Sequence, residues 1–435
     1  MKFYLETFGC QMNVNDSERV ASVLSQSGYQ PSNDPKAADL ILLNTCSVRE
    51  KAAHKLYSRI GELKRRVSSD KPIFGVIGCL AQDEAESIFR RSQSVRLVMG
   101  PRSIGRLPIL LDRLNQGYPR AIDVAQNVPS EFTSADPESR IHRTVGFVTI
   151  IEGCNKNCSY CIVPYTRGRE NSRSPEDILR EIDSLVNTGY REICLLGQNV
   201  NSYKFISEKG EISFANLLEF LAKRTSGVRI KFTTSYPRDF DQDLVDVLTE
   251  HQNLCNWVHL PMQSGSDKVL RRMYRQYTRK DYLQRIQMLK ESSREFSLTG
   301  DFIVGFPGET EEDFQETLSL LDEVKYDGIY SFEYSARPHT AAMYFPDTVP
   351  AQVKTERMVR LVAHQTNIQK THLQRYVGRT LEVLVEGKSA HGSELSGHSA
   401  CNRVVNFVGD EKLVGSLVNI TVQTANNNSL FGYLS

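Results

Sequence analysis

The stretch Glu152-Gly153-Cys154-Asn155-Lys156-Asn157-Cys158-Ser159-Tyr160-Cys161 decides how this chain folds, because it follows directly on the apolar run at residues 145–151. A short run rich in β-branched residues and closed by a glycine reads as a strand. Five more such runs follow at residues 192–196, 230–233, 257–260, 297–304 and 329–334, and amphipathic helical segments such as 175–187, 214–224 and 311–323 lie between them. Six alternations of strand and helix predict parallel strands joined by right-handed crossovers. Over residues 144–376 they make a partial, open (β/α)6 barrel, with a helical stretch at about 353–375 leading out of it. Such barrels carry their chemistry on loops at the carboxyl ends of the strands. The first of those loops holds three cysteines.

Cys154, Cys158 and Cys161 form a C-x3-C-x2-C run. Three soft thiolates from one loop suit three irons of a 4Fe–4S cluster. The fourth iron then has no protein ligand, and S-adenosylmethionine (SAM) chelates such an open iron through its amino and carboxylate groups. The alternatives are a zinc site whose fourth ligand lies elsewhere, or simple buried cysteines. The spacing and the strand-end position favour the cluster.

Working towards the amino terminus, strand-like runs at residues 3–8, 40–43 and 73–77 alternate with helical patterns at about 17–28 and 50–67. Ser47 and Glu50 have capping-box spacing at the second helix. This predicts a doubly wound parallel sheet over residues 1–124, so that the whole chain is of the α/β class. Each strand runs into a cysteine: Gly9-Cys10, Asn44-Thr45-Cys46 and Gly78-Cys79. Parallel strands end on one edge of their sheet, where ligands bind, so the three sulfurs should converge. Helix starts behind them favour thiolate. Cysteine is also a common buried residue, but three in equivalent positions point to a second iron–sulfur site with one iron lacking a protein ligand. Cys194, Cys255 and Cys401 have no such setting and read as core.

A polar stretch at 125–143 reads as a linker. Short β-branched runs at 381–385, 403–407 and 417–422, punctuated by Gly and Asn, predict a small all-β barrel over 377–435. The 435 residues carry nine cysteines and a net charge of +1. That charge excludes RNA binding by an overall field and leaves local patches. The amino terminus does not read as a secretion signal, and no run of about 18 apolar residues spans a membrane. The expectation is therefore a cytoplasmic chain in which cysteine serves metal chemistry, not disulfides.

The motifs resemble those of the MiaB-type methylthiotransferases of the radical SAM superfamily, over essentially the whole chain. They are Thr7-Phe8-Gly9-Cys10-Gln11-Met12-Asn13, Asn44-Thr45-Cys46-Ser47-Val48-Arg49-Glu50-Lys51-Ala52, the Glu152–Cys161 run, Leu195-Leu196-Gly197-Gln198-Asn199-Val200-Asn201, His259-Leu260-Pro261-Met262-Gln263-Ser264-Gly265-Ser266-Asp267 and Asp301-Phe302-Ile303-Val304-Gly305-Phe306-Pro307-Gly308-Glu309. The resemblance implies an auxiliary 4Fe–4S cluster on Cys10, Cys46 and Cys79, and a SAM-binding 4Fe–4S cluster on Cys154, Cys158 and Cys161. It also implies a carboxyl-terminal TRAM domain that binds RNA. The implied reaction is methylthiolation of carbon 2 of N(6)-dimethylallyladenosine in tRNA, next 3′ to the anticodon, with SAM as both methyl donor and radical source. An electron donor and a sulfur source are implied partners, and a monomer is expected.

Siblings of the family act on threonylcarbamoyladenosine in tRNA or on a ribosomal-protein aspartate. Gly9-Cys10-Gln11-Met12-Asn13 matches the dimethylallyladenosine branch. A non-catalytic iron–sulfur RNA-binding protein is the alternative of a different class. Two places depart from the family pattern: His339 and Ala341 stand where Gly and Pro are expected, and His398 where Arg is expected.

Further SAM contacts are expected from residues at barrel strand ends: Gln198, Asn199, Ser235, Gln263 and Gly305. Tyr160 is placed either to pack on adenine or to fill the core. For RNA, Arg167, Arg169 and Arg173 follow the cysteine loop. Arg271, Arg272 and Arg275 begin a basic stretch that continues through Arg279, Lys280 and Arg285, interleaved with Tyr274, Tyr277 and Tyr282. A solvated helix face is the plainer reading of that stretch and of Lys64-Arg65-Arg66.

Overall fold

At the amino terminus, six parallel strands form one sheet: β1 (Lys2–Phe8), β2 (Gln30–Pro31), β3 (Leu40–Thr45), β4 (Ile73–Ile77), β5 (Val95–Met99) and β6 (Ala121–Asp123). A computed structural model of the chain describes residues 1–47, 50–67, 72–125, 132–141, 144–346, 348–389, 392 and 394–435. The strand order is β2-β1-β3-β4-β5-β6, so the winding reverses between β1 and β3. The sheet is doubly wound as expected, because it buries a separate apolar cluster on each face. Val20, Leu24, Leu42 and Leu111 belong to one, and Ile41, Leu56, Leu63 and Val76 to the other. Three strands were anticipated from the sequence; β5, β6 and the two-residue β2 are additions. Helix α1 (Gln11–Gln26) starts six residues earlier than the apolar pattern indicates. The expected capping box reaches the Glu50 side chain, and parts of the expected linker at 125–143 also lie outside the described residues.

The central region holds β7 (Val145–Thr149), β8 (Glu192–Leu196), β9 (Arg229–Phe232), β10 (Trp257–His259), β11 (Ser297–Val304) and β12 (Gly328–Glu333). They pair in parallel as β7-β8-β9 and β10-β11-β12, with the bridge Ile230–Leu254 near the junction of the two halves. This is the partial six-stranded barrel that the alternation predicts. Val148, Ile193, Ile230, Val258 and Phe302 pack outward against the helices, in the largest apolar cluster of the molecule.

Helix Ala351–Gln374 leads to β13 (Thr380–Lys388), β14 (Leu395–Ser399), β15 (Val404–Phe407), β16 (Leu417–Ala425) and β17 (Leu430–Leu434). These close a barrel in the order β13-β14-β15-β17-β16. Leu384 and Leu417 of this small barrel join Phe147, Cys194 and Leu196 of the large one in a shared apolar cluster. No helix among the described residues is long and apolar enough to cross a membrane.

Candidate functional site

The amino-terminal cysteines sit where the sheet's winding reverses, at the carboxyl ends of neighbouring strands β1, β3 and β4. Cys10 is the residue before α1, and its thiol donates to Asn13 Oδ1 at 3.4 Å. The Cys46 N–H donates to Phe8 O at 2.9 Å, which fastens the end of β3 to the end of β1. Cys79 opens helix α2 (Cys79–Glu84) behind Gly78, whose φ is +92°. Asn44 stitches the group together: its Nδ2 donates to Asn13 O at 2.8 Å and Ser17 Oγ at 2.9 Å.

The three thiols interact. The hydrogen bond with Cys46 is the largest influence on Cys10 and, helped by the Arg167 charge, lowers its pKa to about 6. Burial pushes the Cys79 thiol up, and Arg167 opposes that.

The second triad lies in the loop after β7. Gly153 needs its positive φ of +86°, and a β-carbon there would stand 2.1 Å from Arg169 O. Cys154 Sγ accepts from Asn199 Nδ2 at 3.0 Å and from the Lys156 N–H at 3.4 Å. Cys158 Sγ accepts from Arg275 Nη1 at 3.3 Å. Burial pushes Cys154 up to about 11 and Cys161 to about 12, and the negative charges of the neighbouring thiolates add to both shifts.

Sulfurs that repel one another's ionisation suit a common cationic centre. Among the described residues no three His, Cys, Asp or Glu side chains are disposed around a single metal ion. A four-iron cluster, with one thiolate on each of three irons, does not require its ligands to meet at one point. The donor sets therefore fit two such clusters.

Of the expected SAM residues, Gln198 and Asn199 contact the loop of the second triad directly. Gln198 Oε1 accepts from the Gly153 N–H, and Asn199 bonds Cys154. Ser235 Oγ is buried with no hydrogen-bond partner among the described residues, as a hydroxyl reserved for a ligand would be. Gln263 adopts φ +78° in a bridge to Phe302, with its N–H donating to Asp301 O at 2.8 Å. Gly305 turns at φ +71° and donates to Glu309 Oε2 at 2.6 Å. Tyr160 packs edge-on against Phe306 with ring centres 6.4 Å apart, so it serves the apolar cluster as well as the loop. Asp301 pairs with His259 Nε2 at 3.3 Å.

The arginines expected to meet RNA divide. Arg169 and Arg271 are exposed, and Arg272 is half-buried beside Phe345. Arg167 and Arg173 are buried, which corrects the expectation that they face RNA, and Arg275 is half-buried with its guanidinium turned inward. Arg173 is buried in an ion pair with Glu181, which also pairs with Arg140, and Arg140 in turn reaches Glu18 of α1. Arg275 turns inward over the Tyr236 and Tyr277 rings to Cys158. Arg167 is buried against Asp16 and Cys79.

Sequence reasoning missed the polar face of α1: Asn15 donates to Phe147 O at 3.1 Å, and Arg19 pairs with Glu152 at 2.7 Å. These contacts tie the helix that follows Cys10 to the strand that precedes Cys154. Also unforeseen is the rim pair Tyr165 and His339, with ring centres 5.7 Å apart. His339 has φ +65°, a conformation that glycine takes freely. Cys194, Cys255 and Cys401 are buried, in agreement with their reading as core.

Three family models match the chain: the radical SAM superfamily over residues 148–321, the uncharacterized protein family UPF0004 over 2–100, and the TRAM domain over 374–434. A tRNA-2-methylthio-N(6)-dimethylallyladenosine synthase of Koribacter versatilis (strain Ellin345) is 45% identical over 99% of this chain and 98% of the relative. Proteins of the same description from Geobacter sulfurreducens (strain ATCC 51573 / DSM 12127 / PCA) and Geobacillus thermodenitrificans (strain NG80-2) are 45% and 42% identical. They are covered over 96% and 83% of their lengths, against 99% and 100% of this chain. Among solved structures, the radical S-adenosylmethionine methyltransferase TsrM from Kitasatospora setae aligns with TM-score 0.58 at 15% identity, over 79% of this chain and 77% of that one. At that identity the likeness is one of fold.

Proposed function

This chain belongs to the family of tRNA-2-methylthio-N(6)-dimethylallyladenosine synthases, within the radical SAM superfamily, and from that premise we propose how its residues divide the work. The reaction is methylthiolation of carbon 2 of N(6)-dimethylallyladenosine in tRNA, next 3′ to the anticodon. The observation that carries the assignment of roles is the pair of three-thiol sites linked by Arg167, which follows the second triad and bonds Cys79 of the first.

Cys154, Cys158 and Cys161 hold the SAM-binding 4Fe–4S cluster, and Cys10, Cys46 and Cys79 hold the auxiliary one. When bound, the SAM-binding cluster would pass on an electron from the external donor, SAM would supply the radical and the methyl group, and the auxiliary cluster would hold the sulfur to be transferred. Asn199 and the Lys156 N–H steady Cys154, and Arg275 steadies Cys158. Gln198, Ser235, Gln263 and Gly305, at the strand ends, orient SAM, with Tyr160 closing the site on one side. Arg169 and Arg271, both exposed, are the expected arginines best placed for the tRNA backbone, together with the small β-barrel. The domains are read as residues 1–124, 144–376 and 377–435 joined by a linker at 125–143. The reading includes an external electron donor and sulfur source, and a cytoplasmic monomer.

Single-cysteine variants assayed anaerobically with SAM, reductant and dimethylallylated tRNA test this division. Cys154→Ala is expected to form no 5′-deoxyadenosine. Cys79→Ala is expected to form some 5′-deoxyadenosine but no methylthiolated nucleoside by mass spectrometry. Full product from Cys79→Ala would refute the role given to the amino-terminal triad. Loss of threonylcarbamoyl-linked methylthiolation, in place of the dimethylallyl-linked one, from tRNA of a deletion strain would refute the substrate.

A further inference from the structure

Arg167 ends the short helix Val163–Arg167, six residues beyond Cys161, yet its side chain does not serve its own loop. It crosses to the amino-terminal domain and is 3% exposed. Its Nη1 and Nη2 meet both oxygens of Asp16 at 3.4 and 2.5 Å, and its Nε donates to Cys79 Sγ at 3.2 Å. Asp16 lies on α1, the helix that Cys10 precedes, and is also 3.6 Å from Arg19, which pairs with Glu152. The guanidinium is thus fixed by a two-pronged carboxylate contact, and the third edge of its plane is left aimed at one sulfur. Only a planar fork offers donors on separate edges in that way; a lysine ammonium keeps the charge but not the direction. The charge is balanced within the buried group, because Asp16 and Glu152 face Arg167 and Arg19.

We propose that Arg167 is a positioning residue of the auxiliary cluster. It orients the Cys79 sulfur and keeps a charge-assisted hydrogen bond on it when iron is bound. Through that bond, the loop that carries one cluster's ligands sets the electron affinity of the other. Hydrogen bonds to cluster sulfurs tune reduction potential, and a cationic donor favours the more negative, reduced form. The inference rests on the reading that Cys10, Cys46 and Cys79 hold a cluster.

The test uses full-length protein carrying Cys154→Ala, Cys158→Ala and Cys161→Ala, reconstituted with iron and sulfide so that only the amino-terminal site is loaded. Arg167→Met and Arg167→Lys are added to this parent, and the reduction midpoint and electron paramagnetic resonance spectrum are read. Arg167→Met is expected to keep about four irons and to lower the reduction equilibrium tenfold or more, about 59 mV for one electron. Arg167→Lys is expected to fall between it and the parent, with an altered spectrum. If Arg167→Met sheds its iron, a lowered midpoint in Arg167→Lys supports the proposal.

Loss of iron from this site in both variants also supports it, provided that either substitution in an otherwise wild-type chain leaves the Cys154 site loaded. An unchanged midpoint and spectrum at full iron content would overturn the proposal. So would loss of both clusters together, which would mark collapse of the domain contact. Weakened tRNA binding with an unchanged midpoint would return Arg167 to an RNA role. If the parent itself took up no iron, the auxiliary-cluster reading would fail and not this inference.

Discussion

At Gly78 the backbone turns with φ +92°, and a β-carbon would stand 2.2 Å from Asn44 Oδ1 and 3.1 Å from Thr45 O. Both neighbours are buried and already hold the Cys46 end of β3 in place. Gly78→Ala is therefore expected to cost about 1–3 kcal/mol of backbone strain and to displace Cys79. Iron bound at the amino-terminal site should fall, while SAM cleavage at the barrel site persists; unchanged iron content would refute the constraint. The placement of Cys10, Cys46 and Cys79 at neighbouring strand ends and of Cys154, Cys158 and Cys161 in one loop was legible, because strand ends and short spacings survive as sequence pattern. Arg167 and Arg173 were not. Asp16 is 151 residues from Arg167, and nothing local tells a guanidinium paired in the interior from one that faces solvent. The basic, tyrosine-rich stretch at 271–285 has the same difficulty, since Arg271 is exposed and Arg275 turns inward.

Among the elements, α1 was read six residues short because its buried face is polar. Asn13, Asn15, Asp16, Ser17, Glu18 and Arg19 are all enclosed, so no apolar period marks its first two turns. Strand β5 was missed because Arg96 interrupts its apolar run, and β6 is only three residues long. The barrel helices were plain because they alternate and are capped. Helix Glu311–Val324 has Thr310 and Asp313 in a full capping box. Burial alone would raise the Asp313 carboxyl. The hydrogen bonds it accepts from Lys268, the Thr310 N–H and Ser266 outweigh this and hold it to about 2, below its ordinary 3.8. A depressed native pKa adds stability above the unfolded value of about 3.9, and that stability is lost as pH falls through the native value. The stability gap between wild type and Asp313→Asn, read from urea midpoints, is therefore expected to close between about pH 4 and pH 2. A gap that stays constant across that range would contradict the role given to the ionised cap.

Beside the apolar cluster that the two barrels share, buried charge joins the parts of the molecule at two seams. One joins α1 to the large barrel through Asp16, Arg19, Glu152 and Arg167. The other joins the small barrel through Asp327, whose carboxylate takes Arg403 and Arg375 Nη2, the latter at 3.0 Å, with the Leu298 N–H at 2.7 Å. Removing one member of such a group strands the others, at about 3–5 kcal/mol. Asp327→Ala is expected to lower hydrogen-exchange protection across β13–β17 while the amino-terminal sheet keeps its own; unaltered protection of the small barrel would count against this seam. Domain order and class were legible from alternation and turn residues. The seams were not, because each is made of polar residues that in sequence look like surface.

Two iron–sulfur sites in one chain underlie the division of roles between the triads. Iron and acid-labile sulfide should be measured on anaerobically reconstituted wild type and on two variants, one with Cys10, Cys46 and Cys79 changed to Ala and one with Cys154, Cys158 and Cys161 so changed. About eight irons per chain are expected for wild type and about four for each variant. About four irons in wild type, with one of the two triple variants keeping all of them, would contradict that division.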